Sequence, residues 1–332
     1  MSPVTAGDII CGAVSGTELG TDERAFMQKC PLAGVTLFKR NISSSHDNLK
    51  SLNKDLRALM GADALPILAI DQEGGRVARI KGNGFPDQGP AMELAGGEAT
   101  PEALARVKSY GAELASALKS FGINVNFAPV VDVLTEPSNV AIGDRAFGTD
   151  VEPVCSRSGA FLDGMQNAGV LGCLKHFPGQ GDAFADTHEK GTSIDLPRTT
   201  LDERELVPFR AQLSKVQMVM MSHCRYPKLS PKEASRSPEI IQGLLRGEMG
   251  YEGVVVSDDM NMKAIPQSEV DWQQALVEAV LAGVDLLLVC EHLDKIAMAH
   301  RALTAESQSS PTFRKRMEEA AHRVRALRAK LS

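Results

Sequence analysis

Gly253-Val254-Val255-Val256-Ser257-Asp258-Asp259-Met260 sets three branched apolar residues in a row and then stops on two carboxylates. A run of valine that does not alternate with polar residues suits a strand covered on both faces. Seven further runs of this kind flank it: Ile9 to Val14, Gly34 to Phe38, Leu65 to Ile70, Val125 to Val133, Val170 to Leu174, Met218 to Ser222 and Val284 to Cys290. The segments between them often read as amphipathic helices. One starts at the cap Thr100-Pro101-Glu102, places Leu104, Val107, Leu114, Leu118 and Phe121 at helical spacing, and stops at Gly122. Another starts at Ser237-Pro238-Glu239, carries Ile240, Ile241, Leu244 and Leu245, and closes at Gly250. Strand–helix repetition with right-handed crossovers predicts an α/β protein with a parallel sheet. Eight strands in 332 residues fit a single closed (β/α)8 TIM-type barrel better than an open, doubly wound sheet. With no linker or repeat in between, residues 1–332 are expected to form one catalytic barrel domain with a helical tail from about residue 312.

An apolar content of 43% with 23% charged residues excludes a disordered chain. The longest apolar stretch, Leu276 to Cys290, is broken by Glu278 and Asp285 and is too short to span a bilayer, so no membrane partner is expected. The first residues lack the basic and apolar regions of a signal peptide, and the six cysteines are scattered with no metal spacing. Both features predict a reduced, cytoplasmic protein without a structural zinc. A net charge of −6 argues against nucleic acid as a partner. The basic stretch Arg314 to Lys330 reads as the solvated face of a last helix. A monomer is expected.

In a barrel of this kind chemistry sits on the loops at the carboxyl ends of the strands. The residues leaving the runs are Lys39-Arg40-Asn41, Asp71-Gln72-Glu73, Asp132, Lys175-His176, His223, Asp258-Asp259 and Glu291-His292. A purely structural exit calls for glycine, asparagine or serine; ionisable groups at nearly every exit point to an enzyme or a binder of polar ligands. Lys175-His-Phe-Pro-Gly-Gln-Gly-Asp-Ala-Phe-Ala-Asp-Thr-His188 opens a long glycine-punctuated loop, and such loops are usually functional or disordered. Within it, Asp186 can stabilise the imidazolium of His188, a property a proton donor needs. Of the adjacent Asp258 and Asp259, strand alternation sends one toward the mouth and one toward the shell, and periodicity does not say which.

Together with Asn126-Phe-Ala-Pro-Val-Val-Asp-Val133 and Ala141-Ile-Gly-Asp-Arg-Ala-Phe147, these segments resemble family 3 of the glycoside hydrolases, and within it the bacterial β-N-acetylhexosaminidases that recycle cell-wall fragments. The likeness runs in order from about residue 8 to residue 290. It implies that Asp258 is the nucleophile and that His188, oriented by Asp186, is the general acid/base. It further implies that Asp71, Arg79, Arg145, Lys175 and His176 contact an N-acetylglucosamine unit. The loop departs from the family pattern at Gln180, where relatives usually carry histidine; altered loop packing is expected there rather than lost chemistry.

The implied reaction is retaining: a glycosyl-enzyme forms on one carboxylate and is hydrolysed by water that the acid/base group deprotonates. The implied substrate is a small sugar or muropeptide, a GlcNAc-anhydro-muropeptide fragment, and no cofactor or metal is implied. One tryptophan and three tyrosines make an extended aromatic platform improbable, so a single-sugar pocket working from the chain end is expected. Histidine in place of a second carboxylate would admit an anionic acceptor, which keeps an N-acetylglucosaminide phosphorylase in view. A β-glucosidase or β-xylosidase of the same family is the other enzymatic alternative, and a non-catalytic muropeptide-binding barrel the remote one.

Overall fold

All eight apolar runs become strands. The structure, a computed structural model, describes residues 3–61, 64–94, 96–97, 99–184 and 192–331. The strands are β1 Ile10–Gly12, β2 Gly34–Leu37, β3 Ile67–Ile70, β4 Val125–Asn126, β5 Leu171–Phe177, β6 Met218–Met221, β7 Val254–Asp259 and β8 Leu286–Leu288. Each pairs in parallel with its sequence neighbours, and β1 pairs with β8, which closes the barrel. This is the (β/α)8 architecture expected from the sequence.

Alternation along each strand divides the core in two. Inward residues such as Cys11, Ala69, Phe127, Cys173, Met218, Met220, Val254 and Leu286 fill the barrel's interior. Outward residues such as Ile10, Val35, Leu68, Leu174, Val219 and Val255 pack against the surrounding helices. Three of the scattered cysteines, Cys11, Cys173 and Cys290, serve as small apolar fillers inside the barrel.

The helix begun at Thr100 runs over Pro101–Ser120, and the Thr100 side chain accepts a hydrogen bond from the Ala103 amide. Val107, Leu114 and Leu118 are buried as expected, but Leu104 and Phe121 are half-exposed, and Tyr110 takes a place in the core. The second helix spans Glu239–Glu248, wound more loosely than an α-helix, with Ile240, Ile241, Leu244 and Leu245 buried.

Two strands differ from expectation in a way that matters for the site. The run from Val125 to Val133 is a regular strand only over Val125–Asn126; it then continues irregularly through Pro129 and touches β5 again at a single bridge, Val130 to Lys175. By contrast β5 extends three residues past Leu174 and takes Lys175 and His176 with it. Both β5 and β7 carry one extra residue near their carboxyl ends. Between Leu174 and Phe177 the register on β6 shifts, and between Val256 and Asp259 the register on β8 shifts. A bulge of this type redirects side chains locally.

The last helix, Pro311–Arg328, crosses the amino-terminal end of the barrel, and its Val324 and Leu327 cap the interior core. Its basic residues are not all solvated. Arg314 and Lys315 are exposed, but Arg316 and Arg328 are each only 8% exposed. Arg316 reaches Asp285, while Arg328 donates to the carbonyls of Met60, Ala64 and Leu65. Arg325 forms a two-pronged ion pair with Asp8. The helix is a clasp rather than a polar tail. Among the described residues no helix is long and apolar enough to cross a membrane.

Candidate active site

The site is assembled from the exits of β3, β4, β5, β6 and β7. After β3 the chain enters a small hairpin, residues 72–74 against 77–78. Gln72 braces it: its side chain accepts from the amides of Arg79 and Ile80 and donates to the Ile80 carbonyl. The side chain of Asn126, at the end of β4, accepts from the Gln72 amide and donates to the Gln72 carbonyl. This frame holds Asp71, Glu73 and Arg79 at fixed spacing around the barrel mouth.

Lys175 is 2% exposed, and its ammonium lies 2.9 Å from Asp71 Oδ1 and 2.6 Å from Glu73 Oε1. Arg79 reaches the other Asp71 oxygen at 3.1 Å, and its Nε is buried with no partner among the described residues. Arg145 grips Glu73 with both arms of its fork, at 2.8 and 2.9 Å, and donates to the Ala141 carbonyl. Burial opposes ionisation of Glu73, but Arg145 and Lys175 override it and hold the carboxyl well below the ordinary range. Burial likewise works against the Lys175 charge, and Asp71 and Glu73 reverse that effect and raise its pKa. The result is an alternating, water-poor row of charges: Arg79, Asp71, Lys175, Glu73, Arg145.

His176 turns the other way. Its Nδ1 is hydrogen-bonded to Asp132 Oδ2 at 2.8 Å, and its backbone amide also donates to Asp132. Asp132 is fully buried and takes a third bond from the Gln180 amide at 2.7 Å. With a carboxylate on Nδ1, Nε2 is the ring nitrogen that has no hydrogen-bond partner among the described residues.

The two adjacent carboxylates on β7 are sorted by the bulge. Asp259 Oδ1 accepts from the amides of Cys290 and Asn261 and from the Asn261 side chain, tying β7 to the exit of β8. Burial pushes its carboxyl up to about 6. Asp258 accepts only the amide of Asp259 among the described residues and lies on the side of His176, His223 and Lys175. Although burial opposes it, those neighbours and the amide bond keep the Asp258 carboxyl below the ordinary range. One acid is therefore spent on architecture, and the other is an ionised, largely unengaged carboxylate at the mouth.

Over residues 12–327 the sequence matches the glycosyl hydrolase family 3 N-terminal domain. The chain belongs to glycoside hydrolase family 3. A curated relative, the beta-hexosaminidase of Stenotrophomonas maltophilia strain K279a, is 40% identical over 301 residues, 89% of this chain and 86% of that one. Among solved structures, a family 3 beta-N-acetylglucosaminidase from Paenibacillus sp. str. FPU-7 superposes with a TM-score of 0.88 at 32% identity; 98% of this chain spans 61% of that longer one. NagZ from Neisseria gonorrhoeae, solved with N-trifluoroacetyl-D-glucosamine, gives 0.83 at 26% identity, covering 98% of this chain and 94% of that one.

Within this family 3 barrel, Asp71, Arg79, Arg145, Lys175, His176 and Asp258 all lie at the carboxyl-terminal mouth, and Asp186 and His188 lie outside the described residues. The structure adds Glu73, Asp132 and His223, which appeared in the sequence only as strand exits without roles. His223 is 3% exposed, with Nδ1 on Ser235 Oγ at 2.7 Å and Nε2 on the Asp259 carbonyl at 3.2 Å. Other polar exits prove structural: Asn41 and Arg40 donate to the carbonyls of Val14, Gly16 and Cys290, stitching strand ends together. Gln180 is built into the wall, its side chain accepting from Ser222 Oγ at 2.8 Å.

Proposed function

We propose that this family 3 enzyme is a retaining exo-β-N-acetylglucosaminidase. It removes terminal N-acetylglucosamine from peptidoglycan fragments of the GlcNAc-anhydro-muropeptide type, as a cytoplasmic recycling enzyme. Asp258 attacks the anomeric carbon to form a glycosyl ester while His188, oriented by Asp186, protonates the departing oxygen. His188 then deprotonates the water that hydrolyses the ester. Asp71, Arg79, Lys175, His176 and Arg145 bind and frame the sugar, with charged hydrogen bonds that discriminate against analogues lacking a hydroxyl or acetamido group.

The observation that carries this reading is the division of labour on β7. A nucleophile must be ionised and unengaged: among the described residues Asp258 accepts a single amide and its carboxyl is held below the ordinary range, where Asp259 Oδ1 is taken up by three donors and its carboxyl is pushed up by burial. The likeness to N-acetylglucosaminidases supports the choice of sugar.

The test is a pair of variants assayed on an aryl N-acetyl-β-glucosaminide. Asp258→Asn is expected to lose about four or more orders of magnitude in kcat and to give no covalent adduct with a 2-fluoro sugar by mass spectrometry. Asp259→Asn keeps its acceptor oxygen and retains turnover. Normal turnover by Asp258→Asn would overturn the assignment. Adding phosphate to the same assay and separating free sugar from sugar 1-phosphate measures whether water is the acceptor.

A further inference from the structure

Beyond β5 the chain turns through Pro178 and Gly179 and reaches Asp182, four residues before Asp186. Asp182 Oδ1 accepts two hydrogen bonds, from Thr135 Oγ1 at 2.7 Å and from Arg204 Nη2 at 3.0 Å. Arg204 Nε donates in turn to Glu205 Oε1 at 2.6 Å. Glu205 is 1% exposed, an unusual place for a carboxylate, and its Oε2 has no partner among the described residues. That oxygen lies where a side chain at position 179 would begin: a Cβ on Gly179, whose φ is +121°, would fall 2.8 Å from it. Tyr226 closes the other side, its hydroxyl donating to the Gly179 carbonyl at 2.7 Å.

The two described flanks of residues 185–191 are thus held by different means. On the downstream flank, backbone bonds join Thr192 and Ile194 to Arg225, each at 2.8 Å. Upstream, the ionic part of the anchorage among the described residues is a single guanidinium between two carboxylates, Asp182 and Glu205. Removing that cation leaves two acids without their common counter-charge, one of them buried, at the upstream flank.

We propose that Arg204 is a positioning residue for proton transfer: by bridging Glu205 to Asp182 it fixes the root of the segment that bears Asp186 and His188, without touching substrate. This rests on the assignment of His188 as the acid/base group. Displacing a reacting group by about 1 Å costs on the order of a hundredfold in rate. The loss falls on substrates whose leaving group needs protonation.

The experiment compares kcat/KM for a phenyl and a 2,4-dinitrophenyl N-acetyl-β-glucosaminide across wild type, Arg204→Gln, Arg204→Lys and His188→Ala, with thermal unfolding to check folding. For Arg204→Gln, about a 10- to 100-fold loss is expected on the phenyl substrate, with little change on the dinitrophenyl one. Arg204→Lys keeps the charge but not the fork and recovers part of the loss. If His188→Ala shows the leaving-group dependence and Arg204→Gln does not, the positioning role alone is overturned. If His188→Ala loses equally on both substrates, the acid/base assignment falls and the positioning role falls with it.

Discussion

Glu73 and Glu205 are both buried carboxyls, and their neighbours drive them in opposite directions. Glu73 has two cations against it; Glu205 has one, shared with Asp182, and an oxygen with no described partner. Burial pushes Glu205 up to about 7, Arg204 notwithstanding. The signs for stability follow. Glu73 ionises more readily folded than unfolded, so its contribution is complete above the ordinary value of 4.5 and is lost as pH falls below it. Glu205 holds its proton more tightly when folded, so its contribution is present below 4.5 and is lost as pH rises toward 7. Glu205→Gln is therefore expected to flatten the decline in stability between about pH 5 and 8 and to stabilise the protein above pH 7, by at most about 3 kcal/mol. Urea unfolding across that pH range measures it, and an unchanged slope would remove Glu205 as the source. Asp71, Lys175 and His176 were legible in the sequence because each stands where an apolar run stops. Glu205 was not: Asp202-Glu203-Arg204-Glu205 reads as an ordinary solvated helix face, and only tertiary packing buries its last member.

At the scale of elements, helix ends were read well and strand ends less so. Thr100 is a cap in the sequence and a cap in the structure, with Ala103 N at 3.2 Å from its hydroxyl. Thr100→Ala is expected to lower stability by about 1 kcal/mol and to leave turnover unchanged, as denaturant titration and a standard assay would report. Strands β5 and β7 were harder, because a bulge has no obligatory residue to mark it. Alternation correctly required Asp258 and Asp259 to diverge, but the choice between them needed the extra residue between Val256 and Asp259 and the Cys290 amide waiting beside it. The same limit applies to β4: Val125 to Val133 is largely apolar, yet only Val125–Asn126 form regular strand, with one further bridge at Val130. Apolarity reports burial there, not sheet geometry.

Over the whole molecule, the two ends of the barrel divide the work. The carboxyl end gathers Asp71, Glu73, Lys175, His176 and Asp258. At the amino end Asp285, fully buried, receives Arg246 at 2.6 Å, Arg316 at 2.5 Å and Arg323 at 3.3 Å. That carboxylate, at the end of the barrel away from the strand exits, serves stability rather than chemistry. Asp285→Asn strips the counter-charge from three guanidinium groups and is expected to cost about 3–5 kcal/mol, read in urea, with kcat/KM unaltered under native conditions. A large fall in kcat/KM would show that the two ends are coupled. The number and order of the strands were plain in the sequence from eight apolar runs. The clasp was not, because Arg316 and Arg328 share a helix face with Phe313, Met317 and Val324, and periodicity alone does not reveal an anion or bare carbonyls opposite them. With the fastening at one end and the proposed reaction at the other, a practical consequence follows: heat resistance can be improved by redesigning the helix that closes the base, without the penalty in activity that accompanies stiffening a catalyst near its substrate.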